Sequence, residues 1–144
     1  MDSCSPQTIN YLIVQICKAH RARTGELLAE FGVHVGQEMI LVALWQTPSL
    51  TLTQLAERLG VQPPTVTRMV RRMEKSGLLE RNICPTDARV SFVRATPQGN
   101  ALKTNIETVW QTLEEEVTAN LTDLERALFR RILAQVRDNL SSQA

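Results

Sequence analysis

The run from Gln54 to Ser76 restricts this chain's fold more than any other, because two helical stretches lie only a few residues apart. Leu55, Ala56 and Leu59 form the apolar side of the first, and Thr51 or Thr53 supplies a hydroxyl for its N-cap. Gly60 closes it. Val61-Gln62-Pro63-Pro64 then makes a tight turn, since proline in a helix's first turn sacrifices no amide that had a partner. In the second stretch Met69, Val70, Met73 and Gly77 fall within about 60° of Val66 at roughly 100° per residue. Pro64, Arg68, Arg71 and Lys75 fall on the opposite side, with Thr65, Thr67 and Arg72 on the shoulders. Packing the two apolar sides together leaves guanidinium, ammonium and hydroxyl groups outside. That is helix-turn-helix logic.

The flanks read as further helices. One is expected from about Thr8 to Phe31, with Ile13, Ile16, Cys17, Leu27, Leu28 and Phe31 on one stripe and Gly32 as its stop. A second, from about Val35 to Gln46, is apolar on nearly every side and so belongs at the centre of a bundle. Ser49 to Leu52 is a linker or a stub strand. After Gly77, Leu78 to Ile83 and Val90 to Ala95 read as two short strands around a turn at Pro85-Thr86-Asp87-Ala88. One continuous amphipathic helix is expected from Pro97 to about Asn120, and a last one to about Leu140.

Charge follows this layout. Gln54 to Arg94 holds eight basic and four acidic residues, near +4, while residues 1–53 hold three and four and residues 95–144 hold five and seven. A cationic stretch between weakly acidic flanks is the electrostatic footprint of a polyanion-binding face. The plain alternative is a solvated helix surface. Against it, the outer stripe of the second helix carries no acidic partner, and a basic hairpin follows. An α-helix fits the major groove, where arginine can pair with guanine and threonine can touch a thymine methyl.

The runs Leu52-Thr53-Gln54-Leu55-Ala56-Glu57-Arg58-Leu59-Gly60-Val61 and Thr65 to Arg81 resemble the DNA-binding lobe of MarR-type transcriptional regulators. So do Asp87-Ala88-Arg89 and Ala95-Thr96-Pro97-Gln98-Gly99, and the order of helices extends the resemblance over the whole chain. The resemblance implies a mainly α fold with a small β-hairpin wing. Residues 33–99 would form the winged helix-turn-helix lobe, and residues 1–32 and 100–144 a helical dimerisation region.

By position, the resemblance implies that Pro64, Thr65, Thr67, Arg68 and Arg71 face the major groove, with Gln62 a further DNA-binding candidate. Arg72 and Lys75 would contact phosphate, Arg89 would enter the minor groove, and Asp87 would hold the wing by pairing with a basic residue. The family's wing often carries several basic residues; here Ala88 and Val90 flank Arg89. A homodimer would set two recognition helices about 34 Å apart on a pseudo-palindromic operator in double-stranded DNA. The family is commonly released by small anionic or phenolic ligands or by cysteine oxidation. His20, Arg23 and Thr24 are candidate effector contacts, and Cys17 and Cys84 candidate redox positions. Cys17, expected among apolar neighbours, would be a dulled thiol.

Other classes find little support. Two histidines, no glycine-rich phosphate loop and no nucleophile motif speak against an enzyme, and no ligand spacing suits a metal or another cofactor. Three scattered cysteines form no disulfide framework, and neither a secretory start nor a membrane-length apolar run is present, so a cytoplasmic setting is expected. The serious rival is a winged helix that binds another protein and no DNA.

Overall fold

The computed structural model describes residues 5–142. Ten elements follow in order: α1 (Ile9–Ala29), α2 (Gln37–Gln46), β1 (Leu50–Thr51), α3 (Leu52–Leu59), α4 (Pro63–Lys75), β2 (Leu79–Ile83), β3 (Ser91–Ala95), α5 (Pro97–Ala101), α6 (Lys103–Val117) and α7 (Asp123–Ser141). This is a mainly α chain with a small antiparallel sheet in the order β1-β3-β2. It forms two compact units, one ending at Val109 and one beginning at Trp110.

The core of the first unit is assembled from α2 outward. Ile40, Leu41, Ala43 and Leu44 of α2 are buried together with Leu28, Leu55, Val66, Val70, Met73, Leu79, Val93 and Ile106. An apolar helix surrounded by others is the arrangement its composition predicts. The loop into α2 is fixed by that helix's own first turn. Gln37 Oε1 accepts the His34 N–H and Glu38 Oε2 accepts the Gly36 N–H at 2.7 Å. Burial pushes the Glu38 carboxyl above its ordinary pKa.

One expectation is narrowed and two change. The stub at Leu50–Thr51 is a strand, pairing with Val93 and Phe92 at the root of the wing. Thr51 then caps α3 in a reciprocal box with Gln54, so α3 starts two residues earlier than Gln54. The helix expected from Pro97 to Asn120 is interrupted at Leu102, leaving α5 as a short separate element. Tight docking of α5 accompanies the break. A β-carbon on Gly99 would collide with the Leu78 carbonyl oxygen, and Thr96 donates its backbone N–H to that same oxygen.

The apolar stripe of α1 divides along its length. Leu28 is buried and Ile13, Leu27 and Phe31 partly so, whereas Ile16 is exposed, as are Ile9, Leu12 and Val14 off the stripe. Cys17 is exposed as well, which corrects the apolar setting expected for it. In the second unit α7 buries no residue, and Leu124, Leu128, Ile132, Leu133 and Leu140 lie open.

Candidate nucleic-acid interface

The turn into α4 follows from backbone chemistry. Gly60 takes the left-handed conformation (φ 64°), and the Val61 N–H reaches back to the Ala56 carbonyl, closing α3. Gln62 is the N-cap of α4 in extended geometry, with Pro63 and Pro64 next. Prolines in the first two helical positions remove amides that would otherwise point outward, so this helix start offers fewer N–H groups to a phosphate than most do. Side chains must supply the contacts.

Val66, Val70 and Met73 are fully buried, which fixes the rotation of α4 about its axis. Gln62, Pro64, Arg68, Arg71, Arg72 and Lys75 are consequently exposed, and Thr65 and Thr67 lie on the edge. Among the described residues, no ion pair engages Arg68, Arg71, Arg72 or Lys75. The Thr67 hydroxyl donates to the Pro63 carbonyl at 3.0 Å. Met69, also on the edge, packs towards Gly36, whose backbone has φ 96°.

Across the turn at Gly77, Arg81 Nε of β2 donates to Glu74 Oε1 of α4 at 2.8 Å. Both side chains are about one-quarter to one-third exposed, so this clasp is partly shielded from water. It ties the first wing strand to α4. In the hairpin, Cys84 N donates to Val90 O and Val90 N to Asp87 O. Asp87 Oδ1 accepts from both Arg89 N and Arg89 Nε. Those two bonds hold the Asp87 carboxyl below its ordinary pKa, the backbone N–H contributing most. The Arg89 side chain is 91% exposed. Asp87 therefore pairs with the wing arginine itself, and the wing tip presents one guanidinium on a short, doubly tethered loop.

Beyond this face the remaining candidates separate. Thr24 is buried with its hydroxyl donating to the His20 carbonyl, Arg23 pairs with Glu26 at 3.0 Å, and His20 is exposed. Two of those three side chains are thus engaged within α1. The Cys84 sulfur lies 3.2 Å from the Thr86 hydroxyl, whose hydrogen bond lowers the thiol's pKa, together with backbone bonds of Thr86 and Asp87. Among the described residues no group of histidine, cysteine and carboxylate side chains could hold a metal ion, and no helix is long and apolar enough to cross a membrane.

Two positioning features had no clear sequence signal. Arg58 of α3 donates to Gln46 Oε1 at 2.6 Å and to Thr47 Oγ1 at 2.8 Å, bracing α3 on the end of α2. The Glu74–Arg81 clasp joins residues seven apart across a turn. Both depend on the relative placement of elements, which charge patterning within one helix does not reveal.

Residues 35–91, which span this arrangement, match the model of the MarR family. Over that stretch the chain is similar to the MarR family. It is similar to the HTH-type transcriptional regulator YdgJ of Bacillus subtilis, 25% identical over 77% of this chain and 68% of that protein. An HTH-type transcriptional repressor of Mycobacterium tuberculosis is 25% identical, with 89% of this chain and 92% of the repressor covered. A mutant E. coli MarR complexed with operator DNA superposes with a TM-score of 0.80 at 28% identity, covering 89% of this chain and 92% of that one. The chain thus shares the fold of MarR winged-helix structures and resembles proteins named HTH-type transcriptional regulators.

Proposed function

We propose that this protein is a homodimeric repressor that reads a pseudo-palindromic site in duplex DNA with α4 and the wing. The observation that carries the reading is the outer face of α4. Four cationic side chains stand there without acidic partners among the described residues, on a helix whose rotation is fixed by three fully buried residues. Arg68 and the threonines at the helix start would contact base edges; Arg71, Arg72 and Lys75 would meet the groove walls and phosphates. Arg89 would enter the flanking minor groove.

The apolar side chains left open on α1 and, separately, on α7 support a second copy of the chain as their cover. A repressing outcome is supported by the Mycobacterium tuberculosis relative, named a repressor. Response to a small anionic or phenolic effector, and a cytoplasmic setting, complete the reading. A winged helix used only to bind another protein is less well supported, because an unpaired cationic stripe is not needed for that. Enrichment of duplexes from a randomised pool tests the proposal. It should return inverted half-sites about one helical turn apart; recovery of no common sequence would refute sequence reading.

A further inference from the structure

The loop between α1 and α2, residues 30–36, touches two helices with neighbouring residues. A β-carbon on Gly25 of α1 would come within 3.2 Å of Val35 Cγ2. A β-carbon on Gly36 would stand 3.2 Å from the terminal methyl of Met69 on α4. Val35 therefore lies on α1 and Gly36 on α4. The Gly36 turn is held by one side chain, Glu38, whose Oε2 accepts the Gly36 N–H at 2.7 Å. Glu38 is buried and makes no ion pair among the described residues. Burying a carboxylate without a cation costs stability, which hydrogen bonds at the start of α2 offset only in part. Conformational definition is the other role open to such a group.

We propose that Glu38 is a positioning residue: it latches the loop at Gly36 and, through Met69, fixes where α4 stands relative to α1. This rests on the homodimer proposed above, in which the exposed apolar side chains of α1 lie against the second copy. In such a dimer the distance between two α4 helices depends on the angle each keeps to its own α1. A duplex with both half-sites demands that distance. A duplex with one half-site does not.

The latch is tested first without DNA, in the full chain carrying methyl-labelled methionine. Met69→Leu identifies the Met69 signal among the four methionines. Glu38→Ala should shift that signal, and Glu38→Gln, which keeps an acceptor for the Gly36 N–H, should leave it near the wild-type position. An unmoved signal in folded Glu38→Ala would overturn the latch, whether or not the chain binds DNA. In titrations, Glu38→Ala should weaken binding to the two-half-site duplex about threefold to thirtyfold, and Glu38→Gln should restore it. Binding to the one-half-site duplex should stay nearly unchanged, and equal losses on both would overturn the positioning role. Met69→Ala removes the same contact from the α4 side and should give the same pattern, with no further loss when Glu38→Ala is added. It carries the test if thermal melts show Glu38→Ala to be unfolded. A wild-type chain that binds both duplexes alike contradicts the homodimer instead, and the Met69 signal then decides the latch.

Discussion

Asp87 Oδ1 accepts two hydrogen bonds from a single residue, from the Arg89 backbone N–H at 3.0 Å and from its guanidinium Nε at 3.2 Å. One acid thus fixes both the turn of the wing and the direction of its only tip arginine. Arg89→Ala should weaken duplex binding by roughly 1–2 kcal/mol and remove protection of the flanking minor groove in a footprint. Asp87→Ala should lose part of the same energy with Arg89 still present. Anisotropy titration of both variants checks the order, and full wild-type affinity in Arg89→Ala would remove the wing from the interface.

Acidity should leave this clamp alone through the neutral range. The folded Asp87 carboxyl titrates below its ordinary value of 3.8, so its stabilising effect is complete above that value and fades only as pH falls through the lowered one. Between pH 5 and 8 the wing should therefore contribute no step to the pH profile of binding. Comparing wild type with Asp87→Asn across that range tests this, and a transition specific to the wild type would contradict it.

Arg68 and Lys75 should behave differently from each other. Arg68→Ala should cost about 1–3 kcal/mol on the preferred duplex and relax discrimination, whereas Lys75→Ala should weaken every duplex alike and reduce the salt slope by about one. Binding measured on preferred and scrambled duplexes at several salt concentrations separates the two effects.

The Glu74–Arg81 clasp should act through position alone. Glu74→Gln and Arg81→Met should each weaken duplex binding modestly, by about 0.5–1 kcal/mol, and the double variant should resemble either single one. Additive losses in that cycle would mean that Arg81 touches DNA directly.

Gly99 has the most stringent backbone requirement. Its close approach to the Leu78 carbonyl leaves no room for a methyl group. Gly99→Ala should destabilise the fold by about 1–3 kcal/mol, read as a lower midpoint in thermal melting.

What could be read in advance was whatever repeats along one helix. Val66, Val70 and Met73 recur at three- and four-residue steps, so the rotation of α4 and its exposed cationic row followed from spacing alone. The resemblance implied a basic partner for Asp87 without saying which one, and the hairpin makes that partner Arg89 itself. Relationships between elements were not visible. Leu50–Thr51 reads equally as a linker or a stub strand until Val93 and Phe92 lie beside it. The interruption at Leu102 hides inside an otherwise periodic stretch, because docking of Gly99 on Leu78 is a tertiary demand. Cys17 shows the opposite error: an apolar stripe in the sequence says which face needs cover, not whether one chain provides it.

The central claim is that the outer face of α4 binds duplex DNA and distinguishes its sequence. Anisotropy titration of the full chain on a duplex enriched from a randomised pool, with a scrambled duplex alongside, tests it over about 50–300 mM salt. Binding to both should weaken steeply with salt, in proportion to the phosphates neutralised, while the enriched duplex stays at least about a hundredfold tighter. Binding that ignores salt, or equal affinity for the two duplexes, would contradict the account.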